Sequence, residues 1–353
     1  MNAASRASSS SRGLFTEVVR WQQAGRRGAL ATPLWFSGSV PLRRQSRLLL
    51  CDDGTFSGTV GGGALEARVL EAAREVIAAG EARVLEFDLA GEEAARAGMI
   101  CGGQCAVLIE PVVPGEGEEA YALAARAEAE GAPLVLITVL QPEGGVRKLV
   151  MTPAGDWPVG PEEAALAAAL RPLAEQALRA EQPQYVTEPV RAYVEPILPA
   201  PRVVIFGAGH IGAVLAHLAA VAGFRVVVVD DREEFANPDR FPTADEVLAL
   251  SVPEAFARLR VGSDSYLVSV TRGHAHDEEV MALGLSTPAR YLGMIGSRRK
   301  VAAIFERLRE RGFGDADLAR IHAPIGLKIG AETVEEIAVS ILAQLIAARR
   351  GVA

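Results

Sequence analysis

Apolar positions along the chain fall into two regimes. From residue 14 to about 114 their spacing is mixed: LFTEVVRWQQAG repeats at helical intervals and stops at Gly25, whereas GALATPLWF and SRLLLC are nearly continuous, as in strands. Asp53-Gly54 marks a hairpin between RLLLC and TFSGTV, a helix follows from Ala64 to its cap at Gly80, and residues 82–88 and CAVLIEPV read as further strands with a short helix between them. From 202 onward, apolar runs ending in VVIF and VVVV, and then DEVLAL, DSYLVSV and ARYLGMI, alternate with helical patterns near 253–260, 276–285, 298–311 and 333–349. Such alternation predicts a parallel sheet over 201–353, preceded by a separate α+β domain at 13–114. Residues 1–12 are Ser-rich without periodicity and read as a disordered extension. Residues 115–200 mix two helical stretches with strands and end in a proline-studded extended run, EQPQYVTEPVRAYVEPILPAP; they read as a variable connecting segment.

Glycines sharpen this picture at two places. In PRVVIFGAGHIGAVLAHLAAVAGFRVVVVDD (201–231) an apolar run breaks on Gly207, Gly209 and Gly212, turns into a helical pattern and returns to a second run ending in Asp230. The first glycine permits the tight turn, the second lets a phosphate approach the backbone, and the third lets helix pack on strand, which makes this a Rossmann-type unit. Asp230 stands where a carboxylate accepts from a ribose hydroxyl. In GTVGGGALE (58–66) Gly61, Gly62 and Gly63 precede a helix, where unobstructed N–H groups would cradle an anion; a plain strand-to-helix turn explains the same glycines.

Composition narrows the function classes. Net charge is −8, which argues against nucleic acid and acidic membrane surfaces as partners. No apolar run approaches the roughly 20 residues of a membrane span and the N-terminus lacks a signal-like apolar core, so a cytoplasmic protein is expected. Three cysteines, Cys51, Cys101 and Cys105, suit neither a disulfide framework nor a Cys-based zinc site. Cys101, ahead of Gly102 and Gly103, is sterically open and near backbone donors, conditions that favour a thiolate.

Three further loops fall at carboxyl ends of the Rossmann-type strands, where ligands sit in such sheets. Thr271-Arg272-Gly273-His274-Ala275-His276-Asp277 opens one helix, Gly293–Lys300 carries Ser297, Arg298 and Arg299 into another, and His322–Gly326 precedes the last. His274 and His276 read as polar contacts in the crevice with Asp277 as helix cap rather than as an independent metal site. Ser297 reads as an N-cap, and the cations after it as holders of a phosphate.

The set GTVGGGALE, GMICGG (98–103), FGAGHIG with VDDREEFA, TRGHAHDE, GMIGSRRK and HAPIGLKIGAET resembles the XdhC/CoxI family of molybdenum-hydroxylase accessory proteins, and GSVPLR (38–43), with Leu42 inserted before Arg43, resembles a further family segment. Some relatives carry a cysteine where Ala64 stands here, which leaves Cys101 as the motif cysteine. The resemblance implies a protein that binds the molybdenum cofactor, a molybdopterin carrying the metal, while sulfur from a cysteine desulfurase-type donor replaces an oxo ligand, and that hands it to an apo molybdenum hydroxylase of the xanthine or carbon monoxide dehydrogenase type. Under it, Cys101 handles the metal or sulfur, and Gly61–Gly63, Gly102, Gly103, Gly207, Gly209, His210, Gly212, Asp230, Arg272, His274, His276, Ser297, Arg298 and Arg299 hold the cofactor. No acid–base or nucleophile–base pair stands out, which favours a carrier over a turnover enzyme. Two alternatives stay open: an NAD(P)-dependent oxidoreductase with His210 or His274 as proton relay, and a protein that binds a dinucleotide form of the cofactor through Asp230. The Leu/Ile/Ala-rich last helix, EEIAVSILAQLIAARR, would bury a partner surface in a homodimer or pack back on its own sheet.

Overall fold

The computed structural model describes residues 13–42, 46–89, 102–130 and 132–352. Its chain divides into two compact units, Met1–Pro199 and Ala200–Ala353. The expectations for residues 1–12, Arg43 and Cys101, and for the short helix after 88, lie outside the described residues.

In the first unit the elements follow as α1 (Leu14–Gln23), β1 (Gly28–Ser37), β2 (Leu48–Cys51), β3 (Phe56–Gly58), α2 (Gly63–Ala79), β4 (Arg83–Asp88) and β5 (Gln104–Val112). The strands form an antiparallel sheet ordered β3-β2-β1-β5-β4, with a bulge in β1 between Pro33 and Trp35. α2 covers one face, setting Leu65, Val69, Ala73 and Val76 on Ala29, Ala31, Leu48 and Val107.

Residues 115–200 carry their own architecture: α3 (Glu118–Glu130), β6 (Leu134–Leu140), β7 (Val146–Met151), α4 (Ala164–Ala180), β8 (Gln184–Val186) and β9 (Ala192–Ile197). Their strands form a second antiparallel sheet ordered β7-β6-β9-β8. α1 and α3 pack between the sheets, where Phe15, Val18 and Tyr121 meet Leu30 and Leu49 on one side and Leu134, Leu136 and Val150 on the other. Buried charges join the same layers. Arg47 pairs with Glu195, and Lys148 donates to Glu110 (2.7 Å) and to Thr138 (2.8 Å). Removing one member would strand an uncompensated charge in the interior.

The second unit runs β10 (Arg202–Phe206), α5 (His210–Val221), β11 (Arg225–Asp230), β12 (Glu246–Ala249), α6 (Val252–Arg258), β13 (Ser265–Ser269), α7 (His274–Leu285), β14 (Tyr291–Met294), α8 (Arg298–Glu310), α9 (Asp315–Leu318), β15 (Ile321–His322) and α10 (Val334–Arg350). Its six parallel strands are ordered β12-β11-β10-β13-β14-β15, the doubly wound arrangement that the alternation predicted. Val203–Phe206 and Val226–Val229 are buried throughout because helices cover both faces. α5 and α10 lie on one face; α6, α7 and α8 lie on the other. The last helix sets Ala338, Ile341 and Leu345 into the core of its own unit. Among the described residues no helix is long and apolar enough to cross a membrane.

Candidate functional site

Three motif segments of the first unit come together around α2. A Cβ on Gly61, whose φ is 108°, would lie 2.6 Å from the Pro41 carbonyl, and one on Gly38 would lie 3.0 Å from Gly103 Cα. Gly102 and Gly103 are tied to Leu89 by Gly102 N–H to its carbonyl (3.0 Å) and Leu89 N–H to the Gly103 carbonyl (2.7 Å). These close approaches explain why GSVP, VGGG and CGG need small residues where they meet.

Two of the three amides expected to cradle an anion at Gly61–Gly63 have an internal partner. Oε2 of Glu66 accepts from Thr59 Oγ1 (2.5 Å), Val60 N–H (3.0 Å) and Gly62 N–H (3.2 Å), while Gly61 N–H turns to Thr59 Oγ1 (3.1 Å). A carboxylate from the first turn of α2 thus lies against the turn that leads into the helix, on amides just ahead of the helix start. An acidic residue three positions after a glycine run was the signal for it. Of the other cysteines, Cys51 is buried with its thiol pushed up by desolvation, and Cys105 is buried and pushed up to about 11 by the same cause.

The turn at the start of α5 is built differently. Gly207 has φ 116°, and a Cβ there would sit 2.5 Å from the Val270 carbonyl, while Gly212 packs directly on Gly207. Gly209 is the N-cap, no side chain bonds to the cap, and the first turn holds no acid, so the leading amides of α5 face outward without a side-chain partner. His210 is exposed at this end.

Asp230 ends β11 and is 8% exposed. Its Oδ2 accepts from Ala208 N–H (2.9 Å) and Arg232 Nη2 (3.0 Å), and its Oδ1 from Arg232 N–H (3.1 Å) and Nε (2.8 Å). Burial alone would raise the carboxyl, but the Arg232 bonds and charge and the two backbone amides outweigh it and hold it below its ordinary value. Beside it lies a cavity of about 100 Å³ lined by Gly207, Asp230, Asp231, Ser251, Arg272, His276 and Glu279, with Arg272 bonded to Asp231 at 3.2 Å. This cavity unites the GAGHIG, VDD and TRGHAH segments; GMIGSRRK and HAPIG do not line it. The side chain of His274 lies outside the described residues.

Asp277, expected as a helix cap, turns inward instead. Fully buried, it accepts from Ser269 Oγ (2.6 Å) and Thr271 Oγ1 (2.9 Å) and pairs with Lys300, because the first turns of α7 and α8 lie side by side beyond β13 and β14. Lys300 is therefore committed to a carboxylate, and the cations of that cluster still facing solvent are Arg298 and Arg299. Ser297 caps α8, accepting from Lys300 N–H (3.3 Å). Two arginines at the positive end of a helix are electrostatically misplaced, and among the described residues neither has an ion-pair partner. His322 stacks on Tyr291 at 4.6 Å, and burial lowers its pKa, keeping it neutral; Gln344 Oε1 fixes this corner by accepting from Tyr291 Oη (2.6 Å) and Gly326 N–H (2.7 Å).

Comparison with known proteins accounts for both glycine-rich centres. The XdhC Rossmann domain matches residues 203–345, and the XdhC and CoxI family matches residues 21–88. A solved structure described as a xanthine dehydrogenase from Bacillus halodurans is similar over 96% of each chain, with a TM-score of 0.78 at 25% identity. The uncharacterized protein YqeB of Escherichia coli (strain K12) is 26% identical over 94% of this chain and 46% of its own length. A Bacillus subtilis (strain 168) protein described as a probable xanthine dehydrogenase subunit is 32% identical over 46% of this chain and 47% of its own. The chain thus spans about half the length of these two relatives. With the XdhC and CoxI family description matching residues 21–88 and the XdhC Rossmann domain residues 203–345, in that order, the chain belongs to the XdhC/CoxI family.

Proposed function

We propose that this protein is a maturation factor for a molybdenum hydroxylase: it holds the molybdenum cofactor while sulfur is installed and delivers it to the apo-enzyme. The observation that carries the reading is the placement of Arg298 and Arg299. Their charges oppose the positive end of α8, a cost of roughly 0.3–1 kcal/mol each that an anionic ligand would reverse. The outward-facing amides of α5 open at the same edge of the sheet, and each set of donors is of the kind that holds a phosphomonoester. Glu66 makes the Gly61–Gly63 turn a poor fit for that phosphate, so the reading assigns the phosphate to the second unit.

When bound, the cofactor supplies the molybdenum centre on which the client's chemistry depends. Toward it, Gly209 and His210 give backbone donors, Arg298 and Arg299 give charge, and Arg272 and His276 give polar contacts at the neighbouring cavity; in the first unit, Cys101 is the soft thiol proposed for metal or sulfur handling. A cysteine desulfurase-type donor, a xanthine or carbon monoxide dehydrogenase-type client and a homodimeric, cytoplasmic state complete the proposal.

Retention of molybdenum cofactor by the purified protein after ultrafiltration tests it. Wild type is expected to hold the cofactor in the presence of excess NADP. Arg298→Ala with Arg299→Ala should weaken retention at least about tenfold, the loss of two charge-assisted contacts. Cys101→Ala, measured in parallel, should also weaken retention. Cofactor that passes straight through while NADP is held would sink the carrier reading.

A further inference from the structure

We propose that Arg232 occupies, within the chain itself, the position at which a crevice of this type reads a ribose diol, so that the site discriminates against nucleosides and dinucleotides. In an open parallel sheet of this strand order, the carboxylate that ends the second strand accepts hydrogen bonds from ribose hydroxyls. An ionised carboxylate offers about four lone-pair sites. All four contacts at Asp230 come from the chain: Arg232 N–H and Nε on Oδ1, Arg232 Nη2 and Ala208 N–H on Oδ2, at 2.8–3.1 Å.

The guanidinium is fixed from its other side as well, lying 3.5 Å from the centroid of the Phe235 ring. The adjoining cavity, about 100 Å³, falls below the roughly 300–1,000 Å³ of ordinary ligand pockets, and the Asp231–Arg272 pair lies at its lining. A ribose brought to Asp230 must therefore displace a bidentate, charge-assisted contact before it gains its own. What the crevice still offers is its set of anion donors. The ligand class that follows is a phosphate ester with no ribose beside the phosphate, an inference that rests on the phosphate-carrier reading given above and narrows it.

The test is calorimetric titration with ADP-ribose, which presents the diol and requires no molybdenum cofactor. Wild type is expected to show no saturable binding. Arg232→Ala, which empties the two acceptor sites held by Nε and Nη2 and keeps the backbone N–H contact, should bind at least about tenfold more tightly, and Arg232→Lys, which keeps the charge but loses the planar fork, should lie between. Circular dichroism and melting confirm that each variant is folded, and cofactor retention by Arg232→Ala should match wild type. Wild type binding ADP-ribose as tightly as Arg232→Ala would overturn the proposal, as would no binding by either. Binding of 2′,5′-ADP by wild type that is lost in Arg232→Ala would overturn it differently, making Arg232 a reader of a ribose phosphate. Failure of the carrier reading would appear in the retention assay alone.

Discussion

Two strand–turn–helix elements of this chain turn on clustered glycines and differ in how those turns are held. At residues 58–79 the turn before α2 uses Gly61, Gly62 and Gly63, and at 206–221 the turn before α5 uses Gly207, Gly209 and Gly212. Both first glycines have φ above 100° and press against a carbonyl, so their backbones are fixed by the same steric logic. Four residues past the N-cap, α2 carries Glu66 and α5 carries Ala213. Glu66 bends back onto Val60 and Gly62 N–H of its own turn, whereas the turn before α5 is tied through Ala208 N–H to Asp230 of the neighbouring strand. Glycines therefore shape both turns without deciding which carboxylate braces them: one from the turn's own helix at the first, one from the neighbouring strand at the second.

What the turns share should produce the largest effect. Gly61→Val and Gly207→Val each force a β-branched residue to positive φ and against a carbonyl 2.6 or 2.5 Å from the new Cβ, and each should cost about 3 kcal/mol or more. Chemical denaturation of the two variants measures it, and a loss at one turn only would break the parallel. Their difference should show in an exchange. Glu66→Ala strips the first cradle of its carboxylate and should cost roughly 2 kcal/mol of stability while leaving cofactor retention intact. Ala213→Glu should fill the second cradle and abolish retention in a protein that still melts cooperatively.

Asp230 gives a smaller, pH-dependent contrast. Its folded pKa lies below the unfolded value near 3.9, so its contribution is complete above about pH 4 and is lost as pH falls through the folded value. Asp230→Asn should be less stable than wild type by about 1–2 kcal/mol at pH 7, and urea melts should show the gap closing as pH drops below 4. A gap that stays constant to pH 3 would mean that the carboxylate does not tether the second turn. The smallest effect is expected at Arg298 and Arg299. Replacing both with Ala removes cations from a positive helix end and should raise stability by a few tenths of a kcal/mol to about 1 kcal/mol as retention falls. Thermal melts that instead show a clear loss would make these arginines structural.

Much of the fold was legible because its signals are local. The buried runs VVIF and VVVV, the helix expected from Ala64 and found from Gly63, and the cap at Gly80 follow from periodicity and glycine geometry within a few residues. The pair β8 and β9 was harder to read, since Pro183, Pro189 and Pro196 interrupt the strand pattern. Pro196 is tolerated because β8 pairs β9 only as far as Val194, so the missing N–H falls where β9 has no neighbour on that side. Glu66 had a sequence signal, an acid three residues past a run of three glycines, yet nothing local tells whether such an acid points to solvent or back at its own turn.

By itself the sequence determined the order of elements, the parallel sheet and the two glycine turns, because each depends on backbone sterics and apolar spacing over short stretches. Only the tertiary structure decided which charges remain available. Lys300 finds Asp277 because β13 and β14 are neighbours, Arg47 finds Glu195 across 148 residues because two sheets enclose one helical layer, and Arg232 lies along Asp230 because the Phe235 ring supports it. Charge pairing is a property of distance in space, and a chain brings its distant charges within reach only through the order in which its strands pack.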